Sequence, residues 1–520
     1  NGGNTANGSV ATVQGTVTCQ ALKTSGTGTI LIKGAGNVTV SGNLNTSDTS
    51  KIIVQTGKGT GNSGSLKAVN NVNAATVELQ NQIDDLQADN SSREWKLIGV
   101  PVTGETLADI EAQSILSTSG SKTAIGDYDN ATEAFDYYTT GATYTFTAGK
   151  GYLVSPSTDA ILNFTGTSVN AANVAAAITY ESGTYGPWNL VGNPYLSYLN
   201  MTDDSGDAAN NFLTVNAPNI NDSYEAVYAW NGTTYTAYNQ STDTKNFIAP
   251  GEGFFIYARN TGDAMNINFK ETMQVVNKGG GFNAASVVKG ASKSVSRFNI
   301  ELKDLDNNQS DQLSFYFSNK TSKGLDPGYD AGKFNLAGSE SKIFTRLLVE
   351  DQESSGIDFQ IQALSNDDLK DAVVPLGITT KSSKLELSIK ESTLDHLYNV
   401  YLEDRLNNTI VEFDKSIELD FDKESEGVGR FYLHFTDGMI PELPTDGDDF
   451  RIFKVSNSEI RLMGTPETNY NAKVYDFSGR LVREVNFNHR ININEIDSRG
   501  INILTIESND KKLTKKFKLN

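Results

Sequence analysis

Short runs in which apolar and polar residues alternate, each closed by Gly, Asn or Ser, recur along most of this 520-residue chain. In the first ninety residues they are "GTVTCQAL", "GTILIKG", "NVTVSGNL" and "KIIVQTG". A period of two puts alternate side chains on opposite faces, so each run reads as a β-strand, and the turn residues between runs prevent longer elements. The runs stay short and their interruptions stay small, a pattern that suits stacked rungs of a parallel β-helix better than a sandwich. At roughly twenty residues per coil and about 4.8 Å between coils, about four rungs fit in residues 1–93. The stretch "AATVELQNQIDDLQAD" reads as their cap. An uncapped solenoid end must be continued. Further coils are therefore expected upstream, and the opening "NGGNTANGSV" reads as the interior of a longer, processed protein.

Composition supports the same fold class. The chain has 46 Gly, 24 Phe and 21 Tyr against 5 Met and 3 His, a mixture poor in the residues that build long helices. All-β architecture with several domains is the expectation at this length. One cysteine, Cys19, rules out an intramolecular disulfide framework and is expected to be simply buried in its strand. No segment approaches the ~18 consecutive apolar residues of a membrane-spanning helix. The net charge of −20 argues against a nucleic-acid partner, whose phosphates require clustered cations.

Residues 94–272 contain an internal duplication. "WKLIGVP" from Trp95 returns as "WNLVGNP" from Trp188, and "AGKGYLV" returns as "APGEGFFI". Order and residue type repeat together, so each copy contributes strands to one sandwich or forms its own. The Gly-x-Gly of each copy lacks the third glycine and following helix of a dinucleotide loop, and reads as a hairpin or bulge device. Residues 273–297 have linker composition. Strands such as "RFNIELKDL", "DQLSFYFSN" and "GRFYLHFTDG" make 298–437 a sandwich or jelly roll, and the acidic, proline-containing stretch 438–450 separates it from a last domain, 451–520.

Catalytic motifs are scarce. His396, His434 and His489 have no partners at metal-ligand spacing, and no Gly-x-Ser-x-Gly elbow occurs. The body therefore reads as non-enzymatic, without a cofactor. Calcium is the one ion with a candidate loop, "DLDNNQSD", through Asp304, Asp306, Asn308 and Asp311. Gln309 and Phe315 stand where an EF-hand needs Gly and Glu, so a solvated hairpin loop is the simpler reading. In "YAWNGTTYTAYN", Tyr228, Trp230, Tyr235 and Tyr238 could form a carbohydrate-contacting surface, although strand alternation places half of them in a core.

Charge is divided unevenly. Residues 451–520 carry a net charge of plus five and the other 450 residues minus twenty-five. This end contains "AKVYDFSGRLVREV", "INEIDSRGINILTIES" and the terminal "KKLTKKFKLN". In order, spacing and terminal position these resemble the type A C-terminal sorting domain of type IX secretion system cargo from Bacteroidetes. Asn502 stands where that family commonly has an aromatic. The upstream segments "DPGYDAGKF", "VPLGI" and "WNLVGNPY" are similar to modules of flavobacterial adhesin-like surface proteins. The resemblance implies a secretion signal that includes Asp476, Gly479, Arg480, Gly500 and the lysines Lys511, Lys512, Lys515, Lys516 and Lys518. It implies as partners the outer-membrane translocon, a shuttle barrel and a sorting peptidase, with the protein secreted to the cell surface through the periplasm and outer membrane. A chain that still carries the signal would be an uncleaved precursor or transport intermediate.

The residues support a small β-sandwich here on their own. Val474, Phe477, Leu481, Val485, Ile491, Ile493, Ile501, Ile503, Leu504 and Ile506 are its expected core, and the Asp476–Gly479 stretch its hairpin turn. The lysine-rich last strand is expected at a sheet edge, where cations oppose edge-to-edge aggregation and offer a positive surface to an acidic receptor. The whole reads as a secreted adhesin-like or structural protein. The alternative is the binding and sorting end of an extracellular polysaccharide-active enzyme, with polysaccharide as a partner.

Overall fold

The structure is a computed structural model that describes residues 10–47, 49–57, 62–70, 75–83, 95–157, 160–169, 172–202, 209–230, 234–241, 247–276, 295–334, 341–351, 354–407, 409–421, 427–437, 450–456, 459–464, 469–488, 490–494, 496, 501–508 and 511–517. It is mostly β: 56% strand and 6% helix. The chain forms two compact units, one of Asn1–Ser294 with Phe334–Ala337 and one of Val295–Lys333 with Gly338–Asn520.

The first unit begins with eight strands: β1 (Val10–Val13), β2 (Thr16–Cys19), β3 (Leu22–Thr24), β4 (Thr29–Ile32), β5 (Asn37–Thr46), β6 (Lys51–Gln55), β7 (Ser65–Asn70) and β8 (Thr76–Ile83). Among these eight strands every pairing is parallel, between one pass of the chain and the next. The order β1-β4-β6-β8 forms one ladder, β2-β5-β7 a second, and β3 on the latter half of β5 a third. Each pass returns after 19 residues (Val10 opposite Thr29) to 28 residues (Asn37 opposite Ser65). In-register stacking turns the alternation of single strands into columns. Val13, Ile32, Val54 and Leu79 lie in successive register, as do Ile30, Ile52 and Val77, and Ile32, Val54 and Leu79 are fully buried. Cys19 stands opposite Val40 and Val40 opposite Ala68, half-buried against this core, where burial pushes its thiol pKa up. Instead of a cap, Thr76–Ile83 is the fourth rung of the first ladder; residues 84–89 of the expected cap lie outside the described residues.

The next strand on β8 comes from the duplicated region. Labelled in chain order, the first copy supplies β9 (Lys96–Gly99), β10 (Lys122–Asp129), β11 (Ala134–Thr139), β12 (Gly151–Val154) and β13 (Ala160–Ser168). β13 runs antiparallel along the whole of β8, and one continuous core extends from Ile32 through Val100 and Phe164 to Leu196. Hydrophobic packing therefore does not divide at residue 93. The second copy supplies β14 (Trp188–Gly192), β15 (Val227–Trp230), β16 (Tyr235–Tyr238) and β17 (Gly253–Tyr257). The sheets have the same order, β11-β10-β12-β9 and β16-β15-β17-β14, which is the duplication seen in sequence now expressed as topology.

The two copies meet reciprocally. Ile98 bridges Glu252 and its counterpart Val191 bridges Lys150; Gly99 N–H donates to Gly251 O and Gly192 N–H to Gly149 O, both at 3.0 Å. This is a pseudo-twofold junction in which backbone touches backbone. A Cβ on Gly192 would lie 2.5 Å from Gly99 Cα, and one on Gly253 2.7 Å from Ile98 N. The Gly-x-Gly turns are thus devices of close approach between copies, beyond the local hairpins expected.

The second unit holds an 11-stranded sheet. Its β18 (Ser296–Asp304) and β19 (Gln309–Phe317) form a full-length hairpin. The sheet folds over so that Phe298 of β18 meets Phe435, five strands away in the sheet, at 5.6 Å. That closure makes the sandwich. After it come two small sheets, one of Phe450–Ser456, Glu459–Gly464 and Arg490–Ile493, and one ordered β21-β20-β22-β23 from β20 (Asn469–Tyr475), β21 (Leu481–Asn488), β22 (Asn502–Ser508) and β23 (Lys511–Phe517). They share a core of Ile460, Leu462, Tyr470, Ala472, Val474, Phe487, Ile493, Ile496, Leu504 and Ile506. Four residues expected there lie outside it: Ile503 is half-buried on the other face of its strand, and Phe477, Leu481 and Ile501 are 79%, 45% and 53% exposed. For these last three the reason is position. Each sits at a strand end or in a turn, beyond the reach of the opposing sheet.

Candidate functional site

The turn between β20 and β21 is built around one carboxylate. Gly479 has φ +83°, a left-handed conformation that L side chains rarely adopt. This lets Gly479 N–H reach Asp476 O at 2.9 Å while Asp476 N–H reaches Arg480 O at 3.0 Å. The Asp476 carboxylate accepts from Ser478 Oγ at 2.6 Å, Ser478 N at 2.9 Å, Arg480 N at 3.0 Å and Arg480 Nε at 3.0 Å. These donors, the Ser478 hydroxyl foremost, hold its pKa down at about 2. A rigid loop results, with Phe477 and Arg480 directed into solvent. Phe477 was legible only as an apolar residue and was assigned to the core; its place between Asp476 and Ser478 in a turn is the signal that it faces outward.

β23 lies at the sheet edge, as expected, with β22 its one partner among the described residues. Leu513 and Phe517 turn to the core. Lys512, Lys515 and Lys516 are exposed, and Lys512 Nζ lies 2.6 Å from Glu507. Lys518, Gly500 and the side chain of Lys511 lie outside the described residues. At the end of the sheet opposite the turn, Asn469, Asn471, Asn486 and Glu507, with Tyr470 and Phe487, help line a groove of about 490 Å³.

In the loop considered for calcium, protein donors reach the carboxylate oxygens. Asp304 accepts from Ser341 Oγ and Ser382 Oγ, each at 2.6 Å, and from the N–H groups of Asp306 and Asn307 at 3.0 Å. Burial raises its pKa, but the serines and Asn307 outweigh burial and hold it at about 2. Asp306 receives Ser383 N–H at 2.9 Å, and Asp311 is paired with Lys333 at 2.6 Å and with Ile343 N–H at 2.8 Å. Asn308 takes the left-handed turn position, φ +52°. The loop is a strapped hairpin.

The four aromatics considered for carbohydrate contact are packed to different degrees. Tyr228 is fully buried and packs edge-on against Trp188 at 4.7 Å. Tyr235 stacks on Phe334 at 4.0 Å, Trp230 tilts onto Tyr235 at 4.9 Å, and Tyr238 packs on the core of the second copy. Other rings pack on Tyr228 and Tyr235, and Trp230 has one ring neighbour, Tyr235.

The chain matches two families. Residues 3–435 match Domain of unknown function (DUF8693), and residues 454–520 match Secretion system C-terminal sorting domain. No curated protein matches the chain. Among solved structures, a two fibronectin type-III domain segment from chicken tenascin is 10% identical with a TM-score of 0.13, covering 26% of this chain and 93% of its own. The FN1–FN3 domains of chicken CNTN1 are 8% identical with a TM-score of 0.12, covering 42% and 91%. Likeness at these scores carries no argument. The sorting domain does: its turn and basic edge strand occupy the matched residues, and it makes the chain type IX secretion cargo, exported across the outer membrane to the cell surface. With its body matched over residues 3–435, the chain belongs to the DUF8693 family.

Proposed function

We propose that the body is a non-catalytic, adhesin-like or structural module of a bacterial surface protein of the Bacteroidetes, delivered by its C-terminal domain. The N-terminal passes are read as coils of a parallel β-helix; their in-register parallel ladders and continuous aliphatic columns support this. The observation that carries the export half of the reading is the pairing of a rigid Asp476 turn with the exposed lysines of β23 on one small sandwich. Rigid turns present side chains at low entropic cost, and a basic strand at a sheet edge suits both strand addition and acidic surfaces. In this reading the outer-membrane translocon and shuttle barrel receive that edge, and a sorting peptidase then removes the domain.

The test is deletion of residues 451–520 in the native host, followed by cell fractionation. A folded body retained in the periplasm is the expected result; efficient surface delivery of the truncated chain overturns the proposal. Joining residues 451–520 to an unrelated periplasmic reporter is expected to bring that reporter to the surface.

A further inference from the structure

Three side chains that are distant or unremarkable in sequence converge in the first unit, buried between β8, β9 and the turn before β17. Lys96 is 4% exposed, Asn81 0% and Glu252 5%. Lys96 Nζ donates to Asn81 Oδ1 at 2.8 Å and to Gln82 O at 3.2 Å, and lies 3.7 Å from Glu252 Oε1. The Asn81 amide nitrogen donates to Gly251 O at 3.1 Å, and Thr56 Oγ1 donates to Asn81 Oδ1 at 3.4 Å. An amine, a carboxamide and a carboxyl group are thus held together away from water, where an ammonium–carboxylate pair is poorly solvated and transfer of the proton between them is favoured. Burial raises the Glu252 pKa, with Lys96 opposing it, so the neutral acid is the form that burial supports.

We propose that Lys96 and Asn81 form an intramolecular isopeptide bond, with Glu252 as the proton shuttle. The ammonium of Lys96 gives one proton to the Glu252 carboxylate. The freed Nζ lone pair attacks Asn81 Cγ, and Glu252 returns the proton to the carbonyl oxygen as the tetrahedral intermediate forms. Glu252 then moves a proton from Nζ to the amide nitrogen, the Cγ–Nδ2 bond breaks, and ammonia leaves. The Oδ1 proton passes back to Glu252 as the carbonyl reforms, so Glu252 ends as the neutral acid. The products are a secondary amide and ammonia, and no oxidant, reductant or external nucleophile is needed. Thr56 steadies the carbonyl oxygen and Gly251 O holds the departing nitrogen. Enclosure supplies what such a reaction lacks in water: an amine, an amide and a proton carrier held as fixed neighbours. The bond would tie the fourth rung of the N-terminal stack to the first strand of the duplicated sandwich, a covalent staple in a chain whose single cysteine provides none.

Mass spectrometry of the full-length chain tests this directly. The expected result is a folded protein one ammonia lighter than its sequence, in which trypsin fails to cut after Lys96 and one branched peptide contains both Asn81 and Lys96. A sequence-true mass with linear Asn81 and Lys96 peptides overturns the proposal. Glu252→Gln is expected to leave the mass at the sequence value in protein that still shows the β-type circular dichroism of the parent; full cross-linking in that variant overturns the role given to Glu252. Lys96→Arg and Asn81→Ala should each abolish the branched peptide, and its persistence in either would reassign the bond.

Discussion

Asp304 and Asp476 show how one residue type performs the same task in two domains: a carboxylate near a hairpin collects hydroxyl and backbone donors. Both have pKa values held near 2, below the ordinary value of 3.8. For a depressed carboxylate the unfolded state binds protons first as pH falls, so its contribution is present above about pH 4 and is lost as pH falls toward 2. Thermal unfolding of Asp304→Asn is therefore expected to show a flatter loss of stability over that interval than the parent. Glu105 has the opposite sign. It is 3% exposed, and burial raises its pKa from 4.5 to about 7, partly offset by the Thr165 N–H. A raised carboxylate loses stability as pH rises from the unfolded value through the folded one. Glu105→Gln is expected to stabilise the first unit at pH 8 relative to pH 5, measured as a smaller shift in melting temperature between the two.

At the scale of the element, two features of the strands invite substitution. Gly192→Ala places a Cβ 2.5 Å from Gly99 Cα, where neither backbone has a flexible end to move aside. A cost of about 1–3 kcal/mol is expected from chemical denaturation, as for overpacking in general. By comparison, Gly479→Ala meets nothing within 4 Å, so its expected cost is only the left-handed backbone, about 1 kcal/mol. The lysines of β23 serve a different end. Replacing Lys512, Lys515 and Lys516 with Thr leaves the inward Leu513 and Phe517 untouched but removes the charges that oppose edge pairing. Size-exclusion chromatography should then show concentration-dependent oligomers, and export should fall if the machinery reads charge; normal export would show that it reads shape.

For the whole molecule, separate cores accompany separate charges. The C-terminal sandwich buries its own cluster around Val474 and Leu504, distinct from the cluster around Phe298 and Phe435, and it carries the positive excess on an otherwise acidic chain. Removing residues 451–520 is accordingly expected to leave the calorimetric transitions of residues 1–437 unchanged within about 0.5 kcal/mol, as for independent sites.

Strand character, the duplication, the basic edge and the Asp476–Gly479 turn were all legible in the sequence, because each depends on near neighbours: alternation over four to eight residues, turn chemistry over four, a repeat of ordered words. What lay outside it depends on residues brought together from afar. The donors on Asp304 in the β18–β19 loop, Ser341 and Ser382, come from connections far along the chain. The hairpin aromatics looked available until Phe334, far along the chain, covered Tyr235. The reciprocal meeting of the two Gly-x-Gly turns, and the convergence of Asn81, Lys96 and Glu252, likewise arise only when distant backbones approach to contact. Local periodicity and turn chemistry determined which elements form, and the resemblance carried by the ordered words of residues 451–520 pointed to a sorting domain. Which polar groups are spent and which are poised was decided by tertiary packing, because burial and hydrogen-bond partnership belong to the neighbours that folding supplies.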